Sequence, residues 1–324
     1  MNFLSRVSFT FNFEMRKFLL FLVSLLVAFA VLSVFYLIIL SKIDWDFSKT
    51  KKIHSFKEES YEVVVLGNST ALDGIDAELL STRFGATYNF AIGGASLETN
   101  FIQLVKYLKC NLRPSKVLIG LSSCHNNYNN IMEVNPIVDY YYDSLVLPVT
   151  IKDVPLFKFR WLFIENIKKL LSRDHRNAIV VDGQLRINKS VTDNSSYSLG
   201  AVQCLQEDDY LKPGYKYLHQ IAEICFQNGI QLIVFEMPCW KKSQNECEDV
   251  YVSENIGKGF KIFNFNHKVL ADSMYEVKSD WLSENHLNTS GSKKLTALII
   301  KKLFADSVHD HVKPALLPIY DSNK

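Results

Sequence analysis

Four places along the chain carry residues that could assemble a nucleophile. Gly67-Asn68-Ser69-Thr70 puts a serine on a tight turn, Gly93-Gly94 offers backbone amides with no side chain in the way, Ser122-Ser123-Cys124-His125-Asn126 is a polar run, and His286 supplies an imidazole. A serine whose proton a histidine can take, facing amides that can stabilise an oxyanion, has the parts for acyl transfer. Plainer roles exist for each. Ser69 could begin the turn and cap a helix, His286 could be a surface loop residue, and the two glycines would suit a turn whether or not an anion binds there.

These residues are useful only if the elements carrying them end at one place. Tyr61 to Leu66 is a short β-branched run ending at Gly67, which predicts a buried strand and a turn. Ile75 to Phe84 has helical spacing with Asp76 placed to cap, Thr87 to Ile92 reads as a second strand, Leu97 to Leu108 as a helix, and Lys116 to Leu121 as a third strand. Strand, helix, strand, helix, strand predicts parallel pairing and an α/β class with a mainly parallel sheet. The alternation stops between about 124 and 210, where an insertion or substrate-side cap with a helix near Phe157 to Leu171 is expected. It resumes with a helix from Gly214 to Gln227, a strand from Ile230 to Phe235, and a last helix from about Gly291 to Phe304. In such a sheet, ligands bind beyond the carboxyl ends of the strands, where the four polar places fall.

Phe18 to Leu40 is a 23-residue run whose only polar side chains are Ser24, Ser33 and Tyr36. As a helix it would be about 35 Å long, enough to cross a bilayer and to contact lipid. Residues 1–17 then form a short tail, 41–60 a polar linker, 61–306 the α/β domain and 307–324 a C-terminal tail. Arg6, Arg16 and Lys17 precede the run and Lys42, Lys49, Lys51 and Lys52 follow it. The tail's shortness and the greater distance of the later lysines favour a cytoplasmic tail and an extracytoplasmic body.

The formal charge of the 324 residues is +2, from 36 Lys and Arg against 34 Asp and Glu. Arg6, Arg16 and Lys17 against Glu14 already account for it, so the body is neutral and no nucleic-acid partner is expected. Six cysteines permit bridges outside the cytoplasm, with Cys239 and Cys247 the closest pair, or all could be free. His309-Asp310-His311 reads as a polar tail rather than a metal site, and neither metal nor cofactor is expected. Tyr140, Tyr141, Tyr142, Phe157, Phe159 and Trp161 read as core and cap packing that could also stack on sugar rings.

The wording of three segments resembles the SGNH (GDSL-type) hydrolase superfamily, in particular its membrane-anchored branch associated with cell-surface polysaccharide acylation. The carrying residues are Val65 to Thr70 with Asp73-Gly74-Ile75-Asp76, Asn89 to Gly94, and His286 to Gly291. The resemblance implies a flavodoxin-like three-layer α/β/α domain, Ser69 as nucleophile, His286 as general base, and an oxyanion hole from the amides of Ser69 and of Gly93 or Gly94. It also implies an acid three positions before the histidine, where this chain has Ser283. The nearest carboxylates are Asp280 and Glu284; Asp280 is the substitute to test, with an ordinary solvated acid its plainer reading. The asparagine expected after the third strand is likewise displaced, leaving Ser123 or Asn126 as donor.

The expectation is therefore a membrane-anchored serine esterase or O-acyltransferase acting on O-acyl groups, acetyl above all, of a cell-surface glycan or a small ester. A transferase would need a separate membrane-embedded acyl-donor protein. The alternative is a catalytically inactive module of the same fold that binds a glycan or scaffolds, motivated by the missing acid at Ser283. A nucleotide-binding domain is disfavoured, because the first turn lacks a phosphate-cradling glycine pattern.

Overall fold

The computed structural model describes residues 3–53, 60–122, 134–143, 155–162, 164, 178–190, 204–239, 247–254, 258–266, 277–283 and 285–309. The longest element is helix α1 (Phe3–Ile43), whose stretch Met15–Ile43 is long and apolar enough to cross a membrane and is almost entirely uncovered by the rest of the chain. After it comes α2 (Trp45–Ile53), within the stretch read as a polar linker. The Asp44 carboxylate accepts from the Phe47 amide at 3.0 Å, and Phe47, Thr50 and Ile53 are buried at every third position. Four lysines between residues 42 and 52 hide that apolar stripe in the sequence.

The body is built on a six-stranded sheet: β1 (Val63–Gly67), β2 (Thr87–Asn89), β3 (Lys116–Ser122), β6 (Gln231–Met237), β7 (Val250–Glu254) and β8 (Lys258–Asn264). Their order is β2-β1-β3-β6-β8-β7, parallel throughout except for the antiparallel edge strand β7. Central strands covered on both faces need apolar side chains on both, and β1 meets that demand with all five residues buried. Val64, Leu66 and Ile119 face Leu104 and Tyr107 of α5 (Leu97–Cys110) and Leu218 and Ile221 of α8 (Lys216–Gln227). On the other face Val63, Val65, Leu118 and Phe235 meet Ala71 and Leu72 of α3 (Ser69–Gly74), Leu80 of α4 (Ala77–Phe84), and Leu295 and Ile299 of α9 (Thr289–His309). The protein is a mixed α/β chain with a mainly parallel sheet and helices on both faces.

Within the segment read as an insertion, the described parts are α6 (Pro136–Asp143), α7 (Pro155–Lys158) and an antiparallel hairpin, β4 (Ala178–Val181) with β5 (Gln184–Ile187). The hairpin turns on Asp182-Gly183, both at positive φ (45° and 80°), as a two-residue hairpin turn requires. Gly183 is obligatory for a second reason: a Cβ there would sit 2.1 Å from the Asn89 carbonyl oxygen.

Disulfide pairing differs from expectation. Cys247 is bonded to Cys204, not to Cys239, with Cα atoms 5.1 Å apart, and Cys239 is itself disulfide-bonded. Nearness in sequence was a poor guide because Cys247 leads into β7, which approaches the single helical turn Glu207–Tyr210 beside Cys204. Cys110, at the end of α5, and the buried Cys225 of α8 are free thiols.

Candidate active site

The chain leaves β1 towards β2 on one side and β3 on the other, so the carboxyl end of β1 is a topological switch point, the kind of place where open α/β sheets bind ligands. Gly67 ends that strand at φ +144°. A Cβ there would lie 2.5 Å from the Ala71 Cβ, and one on Gly120, the paired residue of β3, would lie 2.8 Å from the same atom. Ala71 therefore sinks into a slot floored by two glycines, and α3 lies against the sheet closely enough to fix Ser69 two residues earlier.

Ser69 does not cap α3. The Asn68 side-chain oxygen does so, accepting from the Thr70 amide at 3.0 Å and the Thr70 hydroxyl at 2.7 Å, and Ser69 is the first helical residue, half-buried. At the other end of α3 the buried Asn89 amide donates to the carbonyls of Ala71 (3.0 Å) and Ile75 (3.2 Å), while its oxygen accepts from the Ala91 amide (3.0 Å). One side chain thus locks α3 to the strand extension leading into Gly93-Gly94. That extension stays beside β1 through the Ile92 amide on the Gly67 carbonyl, and the turn Ile92–Ala95 closes at 3.2 Å with Gly94 at φ +67°.

His286 lies in the two-residue strand β10 (His286–Leu287), paired with β9 (Trp281–Ser283). Its Nδ1 is 2.7 Å from Oδ2 of Asp73. Asp73 follows Ser69 by four residues, one helical turn along the same face of α3, so a single short helix carries both the serine and the carboxylate that holds the imidazole. An ionised Asp73 fixes the proton on Nδ1 and leaves Nε2 as the basic nitrogen. Burial pushes the Asp73 carboxyl above its ordinary value, opposed by the hydrogen bond and charge of His286 and by the charge of Lys49. Its Oδ1 is buried with no hydrogen-bond partner among the described residues.

The lysine comes from α2. Lys49 is fully buried, and its Nζ donates to the Ala91 carbonyl at 2.7 Å. Burial lowers its pKa to about 7, with the Asp46 and Asp73 carboxylates opposing that shift. Asp46, three residues earlier on the same face, brings Oδ2 to 3.9 Å from where a Gly93 Cβ would be. The helix that follows the long apolar stretch of α1 therefore lies against both Asp73 and the Ala91–Gly94 backbone.

Asp280, the expected orienting acid, is engaged elsewhere. It is completely buried, its carboxylate accepts from Ser290 Oγ (2.8 Å) and Lys294 Nζ (2.7 Å), and its carbonyl accepts from the Asn288 amide. It ties the start of α9 to the His286 loop instead of touching the imidazole. Ser283 pairs across the strands with His286 and donates its hydroxyl to Asn285 at 3.2 Å. Asp73 thus meets His286, Ser69 stands one helical turn from Asp73, and the strand extension that leads into Gly93-Gly94 is held beside the end of β1. Ser123, Asn126 and Glu284 lie outside the described residues. Asp73 is the carboxylate that meets the imidazole, a pairing not expected from the sequence although Asp73 lies in the first of the three segments; the available signal was a carboxylate at serine plus four on a helix. No group of three His, Cys, Asp or Glu residues placed to hold a metal occurs among the described residues.

No family model and no curated protein matches the chain. Among solved structures, a "putative platelet activating factor" from Streptococcus pneumonia aligns over 84% of this chain and 98% of its own, at 11% identity and a TM-score of 0.34. A likeness that slight carries no argument about activity.

Proposed function

We propose that this protein is a membrane-anchored serine esterase or O-acyltransferase in which Ser69 is the nucleophile, His286 the general base and Asp73 the orienting acid. The observation that carries the reading is the 2.7 Å contact of His286 Nδ1 with a carboxylate standing one helical turn from Ser69. In this mechanism Nε2 of His286 takes the Ser69 proton and the serine oxygen attacks the ester carbonyl. The amides of Ser69 and of Gly93 or Gly94 stabilise the oxyanion. The imidazolium returns its proton to the leaving alcohol, and a second acceptor, water or a sugar hydroxyl, releases the acyl group.

The resemblance to SGNH hydrolases supports an O-acylated cell-surface glycan as substrate, with acetyl the leading acyl group and a separate membrane-embedded donor in the transferase case. Disulfides on Cys204, Cys239 and Cys247 support an extracytoplasmic body, since such bridges persist in oxidising compartments. The ground for an inactive module was the missing acid at Ser283, and Asp73 supplies a carboxylate from a different element.

Fluorophosphonate labelling of the full chain in lipid nanodiscs, read by intact mass, tests the reading. One adduct on wild type, absent in Ser69→Ala and strongly slowed in His286→Ala and Asp73→Asn, is the expected result. A folded wild type that takes no adduct, or a Ser69→Ala variant that still does, overturns it.

A further inference from the structure

We propose that residues 155–162 and 164 lie at the lipid interface beside α1, so that the protein meets the bilayer at two places and acyl chains are the occupant of the exposed apolar face formed by Phe157, Trp161 and Ile164. This goes beyond the enzymatic reading and rests only on α1 being a membrane helix.

The exposed apolar surface of α1 runs from Phe18 to Ile38 with little interruption. It is covered along one line, Phe29, Ser33, Tyr36 and Leu40, whose spacing of four, three and four residues is a single helix face; Phe29 is half-buried and the other three are buried. What covers it includes α7 and the residues just after. The Phe157 ring packs on Phe29 with centroids 5.5 Å apart, the Tyr36 hydroxyl donates to the Phe159 carbonyl at 2.6 Å, and Phe159 and Leu162 complete a buried cluster with Tyr36, Leu40, Phe47 and Ile137. Tyr36 is one of three polar side chains in the apolar run, so its hydroxyl needs this carbonyl if no water reaches it.

The contact sets a depth. Phe29 and Leu40 are about 16 Å apart along a helix axis, and an apolar run of about 35 Å exceeds a 30 Å hydrocarbon core by only about 5 Å. Phe29 is the midpoint of the run, so Phe157, seated on it, is about 11 Å inside the hydrocarbon boundary with the whole excess at the Leu40 end and about 15 Å with the excess shared; the segment rises from there towards the boundary, since Phe159 already meets Tyr36, about 10 Å closer to Leu40. The far side of the segment fits that position: Phe157, Trp161 and Ile164 are exposed at 39%, 42% and 55%, again spaced four and three apart. Two cations flank them. Lys158 is paired with Asp139 of α6 at 3.1 Å, and the exposed Arg160 donates to the Phe157 carbonyl. Aromatic side chains with long cationic ones that can reach back to headgroups are what a water–lipid boundary selects. A soluble partner would have to cover the segment without reaching the adjoining lipid-facing surface of α1, which makes lipid the occupant that continuity favours.

The test is quenching of tryptophan fluorescence in the full chain, in vesicles of phosphatidylcholine carrying bromines on the sixth and seventh acyl carbons, with unbrominated lipid as reference. Trp161→Phe keeps an aromatic ring and isolates one residue's contribution by difference from wild type. The Trp161 contribution is expected to fall by roughly half or more in brominated lipid, a place between Phe157 and the hydrocarbon boundary lying within the quencher's reach. Aqueous iodide is expected to leave that contribution unchanged. Equal bromolipid quenching in wild type and Trp161→Phe would overturn the proposal. Quenching of the difference signal by iodide would place Trp161 in water, and protection from both quenchers would place it under protein; either result also overturns it.

Discussion

Asp73 and Asp280 are both buried carboxylates close to the His286 loop, yet substitution should separate them. Asp73→Asn removes the charge that fixes the imidazole proton on Nδ1, and fluorophosphonate labelling should slow by roughly a thousandfold or more, with the melting temperature changed far less. Asp280→Asn should give the reverse: labelling per folded molecule near wild type, and a lower melting temperature as Lys294 and Ser290 lose their acceptor. A third buried acid, Glu236 of β6, accepts from the Tyr210 hydroxyl at 3.0 Å, and burial raises its pKa from 4.5 to about 7 against that hydrogen bond. A raised acid keeps its proton in the folded state after the unfolded chain has lost it, so stability falls as pH rises from about 4.5 through about 7. The loss is on the order of 3 kcal/mol at its fullest. Melting curves at pH 5.5 and 8 should show this slope in wild type and a smaller one in Glu236→Gln.

At the scale of elements, α2 is where the sequence misled most. Strands with β-branched runs and helices with a clean apolar stripe were legible: β1, β3, β6, α5 and α8 fall within a few residues of expectation, because burial on one or two faces imposes a period that composition reveals. In α2 the stripe of Phe47, Thr50 and Ile53 is interleaved with lysines, and one of them, Lys49, is buried on the site side, against the ordinary habit of lysine. The Asp182-Gly183 turn was readable in principle, whereas the pairing of Asp73 with His286 spans 213 positions and no local pattern encodes it. The placement of Lys49 has a testable result. Lys49→Met removes a positive charge beside Asp73, so the Asp73 carboxyl rises further and the acid limb of a labelling-rate profile should move to higher pH. An unshifted limb in a folded variant would mean that α2 only supports the Ala91–Gly94 backbone.

For the whole molecule, the bridge from Cys204 to Cys247 closes 43 residues of sequence and ties the β7 edge of the sheet to the segment before α8. Reduction should lower stability by about 3 to 4 kcal/mol on loop-closure grounds, read as a drop in melting temperature on adding dithiothreitol. Protein taken from an oxidising compartment should resist alkylation at Cys204, Cys239 and Cys247 until reduced. If all three react freely without reductant, the extracytoplasmic placement loses its main support.

The direct passage from α1 into α2 also determines what such an enzyme could reach. Only Asp44 separates the two helices, and α2 is held at its middle by Lys49 on the Ala91 carbonyl and at its last residue by the Asn111 side chain on the carbonyl of Ile53. Lys49 follows Ile43 by six residues, less than about 10 Å of helix rise, so with α1 in a bilayer the proposed site would be mounted at a set height close to it and not on a flexible tether. A catalyst held that way works as a gauge. It would act on sugars within a fixed distance of the lipid surface and pass over identical units farther out along the same polymer.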